Sequence, residues 1–437
     1  MISSHRTARF YRRDRVPDSR LEAQRDRDRV LYSSALRRLG HVTQVVSPTE
    51  GLVFHNRLTH TLEVAQIGRR IAERLVADED GRRRSRRLGG LEPDVVETAA
   101  LVHDLGHPPY GHAVETELDR LVTQCYGVHD GYEGNAQSFR IVTKLSMRYL
   151  NVPGLNLTRA SLNAALKYPW LRSTEAGSRK NKKWGSYSTE LEEFEWVRQR
   201  HPGRSDRASA EAALMDWSDD VAYAVHDVDD FYRAGLVPLH RLRVPKDRED
   251  DEVDEFANYA AAKLGKDTGE IRETLRSVVG SSPVDKPYSG TSEQRQQLRT
   301  FTAGLINSYA NGVSLAEDPD EEELIKVPPV LRDQVDILKE LTWFYVIANR
   351  SLKVQQHGQR KVVQDLFRTY MEATEGKDRE ALSIFPASQQ EQMQEAATQE
   401  ERIRLVADLI SSMTEQQLMI THRKLTGTDP GSITDLI

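Results

Sequence analysis

The stretch from Ala208 to Tyr232 contains neither glycine nor proline, and Asp216, Asp219, Tyr223 and Asp227 recur in it at i, i+3, i+7 and i+11. That spacing predicts one long helix with all four residues on a shared face. Trp217, Val221, Ala222 and Val225 leave little width for a solvated polar face, so the acids face the interior of an assembly. Three carboxylates on one buried face repel one another unless a cation sits beside them. Helical periodicity continues elsewhere: Val64, Ile67, Ile71 and Leu75 trace one stripe, and Ile337, Leu338, Leu341, Phe344, Tyr345 and Ile347 another. Period-two runs of branched or aromatic residues are scarce, so the fold class is all-α.

Placed on that helical frame, the histidines become informative. His60 falls in the first turn of the helix carrying Val64 and Leu75. Asp94 and Glu97 read as a capping pair for a helix over 95–105, whose small residues Ala99 and Ala100 admit a close neighbour. His103 and Asp104 end that otherwise apolar helix. Two ionisable groups set against a core are costly unless a divalent cation compensates them. Gly106, Pro108, Pro109 and Gly111 then break the helix and leave His107 and His112 in the following loop. Imidazole with carboxylate suits several divalent metals: Mg, Mn, Fe, Ni, Co or Zn. No histidine pair brackets a glutamate in the H-E-x-x-H order, which argues against zincin chemistry.

Composition sets outer bounds. The 61 Lys and Arg against 67 Asp and Glu give a net charge of −6, so an anionic substrate must find a local patch. Cys125 is the one cysteine and cannot close an intrachain disulfide. No apolar leader or run of membrane-spanning length is visible, and the expectation is a cytoplasmic protein with no membrane partner. Arginines cluster at Arg25, Arg27 and Arg29 and again from Arg82 to Arg87. The first cluster alternates with aspartate, which suits pairing between helices better than a phosphate track, although weak single-stranded nucleic acid binding stays open. The second reads as a solvated loop. The organisation is an arginine-rich N-terminal segment over 1–50, a core over 51–240, a charged insertion or mobile segment over 241–300, and a C-terminal helical region over 301–437. The polar stretch from Pro202 to Arg207 reads as a loop, and Ala407 to Leu425 as a last helix.

The order His60, His103-Asp104, Asp219 resembles the signature of the HD superfamily. Around it, "FHNRLTHTLEV", "HDLGHPPYGHAVE", "GYEGNAQSFRIV", "LNLTRASLNAALKYPW" and "MDWSDDVAYAVHDVDD" resemble, in order, blocks of the dGTPase-type deoxynucleoside triphosphate triphosphohydrolases. "LRRLGHVTQV", "QQHGQRKVVQDLF" and "VADLISSMTE" extend the resemblance over most of the chain. It implies a helical HD core with added helices and hydrolysis of a dNTP, dGTP first among them, to deoxynucleoside and inorganic triphosphate. It implies His60, His103, Asp104 and Asp219 as metal ligands, and His112 with Glu115 as catalytic groups beside the scissile ester. Gln44 and Asp227 would hold the sugar 3′-hydroxyl, Tyr223 would pack near the sugar, and Arg57, with Lys167 and Tyr168, would meet phosphate. It also implies homo-oligomers, in some members regulated by a bound dNTP activator. One departure stands out: the vertebrate SAM-and-HD-domain dNTPase has lysine directly after the final metal aspartate, where this chain has Asp220. The alternatives are another HD nucleotide phosphohydrolase, or a regulatory nucleic-acid-binding protein built on an HD fold.

Overall fold

The computed structural model describes residues 5–12, 18–45, 54–175, 177–201, 206–243, 251–280, 282–375 and 380–428. Among the described residues eighteen α-helices carry the architecture. The only paired strands among them are Ser314–Leu315 and Ile325–Lys326, antiparallel with Ser314 opposite Lys326. The fold is all-α, as the periodicity predicts.

Three helices set the frame. Arg57–Leu75 starts where the Asn56 side chain accepts from the Thr59 amide while the Thr59 hydroxyl receives the Asn56 amide, a reciprocal cap. Pro93–Val102 starts on a proline, whose missing N–H costs nothing in a first turn. Ala210–Arg233 is capped by Ser209 accepting from the Ala212 amide. Their apolar faces meet in the main core, where Val64, Ile71, Val96, Ala99, Ala100, Val221 and Ala222 are buried together. A second core joins Val114 and Leu118, from the helix His112–Arg120, to Val363, Phe367 and Tyr370 of Arg350–Glu375 and to Val406 and Ile410 of Gln399–Ser412. One ion cluster ties the halves: buried Arg140 reaches Asp408 through Nε at 3.0 Å and Nη2 at 2.8 Å, and Glu190 through Nη1 at 2.6 Å.

Several local expectations are corrected. Asp94 and Glu97 do not cap their helix; both bind Arg69 of the neighbouring helix, at 2.7 and 2.5 Å, and the helix ends at Val102. Arg82–Arg87 is not a loop but most of the helix Glu79–Arg87, in which Glu79 and Asp80 pair with Arg82, Arg83, Arg84 and Arg86 one or two turns on. Within the charged segment 241–300, Asp251–Leu264, Thr268–Val279 and Ser292–Asn311 are helices, and Val253, Phe256, Ile271, Leu275 and Leu298 belong to the main core. Charge dominates its composition because only one stripe of each helix is apolar. Residues 244–250, and 202–205 of the expected polar loop, lie outside the described residues. The C-terminal helix is two, Gln399–Ser412 and Glu415–Leu425, parted where the Thr414 side chain accepts from the Gln417 amide and caps the second. The Arg25–Arg29 cluster is absorbed internally. Arg25 pairs with Glu22, Arg27 lies 3.7 Å from Glu97, and Arg29 donates to the carbonyls of Leu155 and Asn156.

Candidate metal centre and active site

His60 projects from the first turn of Arg57–Leu75, His103 caps the C-terminal end of Pro93–Val102 with Asp104 beside it, and Asp219 comes from the middle of Ala210–Arg233. The three helices bring them together. His60 Nε2 lies 3.0 Å from Asp219 Oδ1, while His103 Nε2 lies 3.6 Å from the same oxygen and 3.5 Å from Asp104 Oδ1. His60, His103 and Asp104 are buried and can offer ligand atoms within 4.8 Å of one another.

The tautomer of His103 follows from its surroundings. Its Nδ1 sits 2.6 Å from the carbonyl of Ala100, which can only accept, so Nδ1 carries the proton and Nε2 presents a lone pair. That Nε2 is buried and has no hydrogen-bond partner. A lone pair aimed at two carboxylates is an arrangement a divalent cation resolves, and the donor set fits one. Without the ion, charge is redistributed among the side chains themselves. Burial pushes the His103 imidazole down, but Asp104 and Asp219 outweigh it and lift it to about 9. Burial pushes Asp104 up, yet Arg57, His103 and His107 hold it well below the usual carboxylate range. Asp219 is likewise depressed, by Lys167 and His103 against burial.

The centre opens into a cleft of about 780 Å³, with Gln44, Arg57, His60, His103, Asp104, His112, Lys167, Tyr168, Asp219 and Tyr223 on its wall. Arg57 Nη1 donates to Asp104 Oδ2 at 2.8 Å, and Lys167 Nζ bridges Asp219 Oδ2 at 3.1 Å and Asp216 Oδ1 at 2.5 Å. Two expected site residues are not on that wall. Asp227 is buried behind Tyr223, and burial followed by the neighbouring Asp230 drives its carboxyl well above the ordinary range. Glu115 lies behind His112: its Oε2 is 2.7 Å from His112 Nδ1, and its Oε1 accepts from the Gly134 amide at 3.1 Å and Lys183 at 3.0 Å. His112 itself is 71% exposed and opens the helix His112–Arg120 after Gly111, whose φ of 59° puts it in the left-handed region. A Cβ on Gly106 would come within 2.1 Å of the Gly134 carbonyl, so that glycine lets the histidine-bearing loop lie against the segment that holds Glu115.

Sequence reasoning missed part of the site. His107 lines the cleft with Nδ1 3.0 Å from Asp104 Oδ1, and burial followed by Arg57 lowers its imidazole to about 4. Its position four residues after His103 was the available signal. Lys183, Lys263, Lys339, Lys353 and Arg360 also line the cleft. Lys339 Nζ lies 3.2 Å from Asp220 Oδ1, so a cation stands beside the position after Asp219, supplied from a distant helix. No short motif encodes these.

A family model for the HD domain matches residues 57–143, and one described as phosphohydrolase-associated domain matches residues 325–424. The fold and the histidine–aspartate centre thus define an HD-domain phosphohydrolase. A deoxyguanosinetriphosphate triphosphohydrolase-like protein of Streptomyces coelicolor is 35% identical over 422 residues, covering 92% of both chains. One of Corynebacterium efficiens is 36% identical, over 94% of this chain and 92% of its own. Another, of Vibrio campbellii, is 28% identical, over 94% of each. The chain belongs to the family of dGTP triphosphohydrolase-like HD-domain proteins. Among the described residues no helix is long and apolar enough to cross a membrane.

Proposed function

We propose that the chain hydrolyses deoxynucleoside triphosphates to deoxynucleoside and inorganic triphosphate, with dGTP as the first substrate to test and a homo-oligomer as the working form. The observation that carries this is one cleft holding a His60–His103–Asp104–Asp219 centre, flanked by Arg57 and Lys167, with five further cationic side chains on its wall. In a chain of net charge −6 that concentration of positive charge is local, and it matches a polyphosphate.

His60, His103, Asp104 and Asp219 would hold a divalent ion, which when bound supplies Lewis acidity toward a phosphoryl oxygen and lowers the pKa of water. The protein's own groups do the rest. Arg57 fixes Asp104 and, from the same guanidinium, offers donors to the α-phosphate. Lys167 occupies the centre's edge through Asp219 and is placed to meet phosphate as Tyr168 packs beside it. Gln44, whose Oε1 is buried without a partner, and Tyr223 face the sugar, with Asp227 behind Tyr223. His112 at the rim gives its proton to the departing 5′-oxygen, held in orientation by Glu115. Lys339, Lys353 and Arg360 receive the outer phosphates.

The test is incubation of the purified protein with each dNTP, singly and mixed, and separation of nucleoside, nucleotide and polyphosphate products. Triphosphate and nucleoside in equal amounts are expected, with stimulation in mixtures where a second dNTP activates. Release of pyrophosphate or orthophosphate instead would place the chain with other HD phosphohydrolases. A 3′-deoxy analogue should lose kcat/KM against its parent, because Gln44 is left unpaired; equal values would remove Gln44 from the sugar site.

A further inference from the structure

A second group of ligand-type side chains lies further along the same helix pair. His55 precedes Arg57–Leu75, Glu63 lies on it three residues after His60, and His226 lies on Ala210–Arg233 next to Asp227. Each offers a ligand atom within 4.8 Å of the others. The two imidazoles stack at 5.1 Å between centroids, 19° from parallel, and each meets one oxygen of the Glu63 carboxylate. Stacked imidazoles facing a single carboxylate need a reason.

The hydrogen bonds around the group give one. His55 Nδ1 lies 2.7 Å from Asp230 Oδ2, and the His55 amide donates to that same oxygen at 2.7 Å. Asp230 therefore accepts from Nδ1–H and fixes the ring, which points Nε2 at Glu63 Oε1, 3.1 Å away. A carboxylate behind a histidine is the outer-shell arrangement that orients metal-binding imidazoles and strengthens them as donors. His226 Nδ1 meets Glu63 Oε2 at 2.7 Å without hydrogen-bond alignment, and both atoms are buried and lack a hydrogen-bond partner. Two nitrogens and a carboxylate thus converge on one point. The side chains of His55 and Glu63 are 22% and 34% exposed, so an ion reaches the point from solvent and finds room for water as a further ligand.

We propose that His55, Glu63 and His226 form a second divalent-cation site, separate from the His60–His103–Asp104–Asp219 centre and oriented by Asp230. Two imidazoles and one carboxylate select a borderline transition metal over magnesium or calcium, which prefer all-oxygen shells. Its place in the fold gives its purpose. His55 stands two residues before Arg57, and His226 next to Asp227 and seven residues after Asp219. An ion joining them clamps the entry to one helix of the active site against another, and so fixes the spacing of Arg57, His60 and Asp219.

The experiment uses the full-length chain, stripped with a chelator, titrated with Co²⁺ near neutral pH, and read by elemental analysis after desalting and by the visible Co²⁺ spectrum. Circular dichroism checks each variant's fold. Wild type is expected to retain two equivalents. A His60→Ala, Asp219→Ala double variant retains one, with the absorption of the histidine-ligated second site. Glu63→Gln, nearly isosteric, and His226→Asn each lose one equivalent and keep the other. A folded Glu63→Gln or His226→Asn protein that binds as much Co²⁺ as wild type overturns the proposal and leaves the group an ion-pair clamp. So does a folded His60→Ala, Asp219→Ala protein that binds none. These readouts do not depend on hydrolysis, so an inactive protein leaves the result interpretable.

Discussion

Glu115 touches neither the cleft nor the metal centre, yet it sets the geometry of the proposed proton donor, and this makes the His112–Glu115 pair a sharp test. Removing the imidazole by His112→Ala should leave metal content intact and lower kcat by about 10² to 10⁴, or roughly 2.7 to 5.4 kcal/mol of barrier. Glu115→Gln is subtler. The introduced amide keeps an oxygen for the Gly134 N–H, and Lys183 keeps its 2.9 Å contact with Glu133, so the local fold survives. What is lost is the charge-assisted hydrogen bond of 2.7 Å to a ring that is 71% exposed, together with the charge facing Lys183, which keeps its pairing with Glu133. Such a bond contributes roughly 1.5 to 3 kcal/mol when shielded, and solvent around His112 moves the expectation to the lower end, a fall in kcat of about tenfold. Since Glu115 acts only through the ring, the double variant should be no slower than His112→Ala alone. The assay is kcat from product separation under saturating dNTP, with metal measured on the same preparations. Losses that multiply in the double variant would refute the positioning role and give Glu115 an action of its own. Loss of metal from His112→Ala would put that ring in the coordination sphere.

Asp219→Ala should lose the ion of the main centre and activity together, while Asp220→Ala, whose carboxylate turns to Lys339, keeps that ion; elemental analysis of the two variants decides it. Arg140→Met leaves Asp408 and Glu190 buried with much of their pairing gone, and denaturant unfolding should show a loss of about 3 to 5 kcal/mol. His201, lowered from 6.5 to about 3 by burial and then by Arg198 and Arg207, is neutral when folded but protonates when unfolded. Its contribution is therefore present above pH 6.5 and fades as pH falls toward 3, with a slope of up to about 1.4 kcal/mol per unit. His201→Gln should remove that component from the stability–pH profile, and an unchanged profile counts against it.

The fold class, and the residues that meet at the candidate metal centre, were legible in the chain before any folding was considered. Helical period, a glycine- and proline-free stretch from Ala208 to Tyr232, and the order His60, His103-Asp104, Asp219 are local or one-dimensional properties. So is the helix break at Gly106–Gly111, although the sequence put His112 in the loop and the structure makes it the first residue of a new helix. Charge-rich segments were the hard part. Arg82–Arg87 and residues 251–300 look like loops in composition, because a helix with a narrow apolar stripe and paired charges resembles polar coil until its neighbours are known. Which lysines enter the cleft depends on packing alone, since Lys339 reaches Asp220 across 119 positions of chain. The same holds for the depth of Asp227, for Glu115 standing behind His112, and for the meeting of His55, Glu63 and His226. Spacing along the chain tells which residues share a helix face; which faces meet, and which charges they then bury together, is set by contacts between elements far apart in the chain.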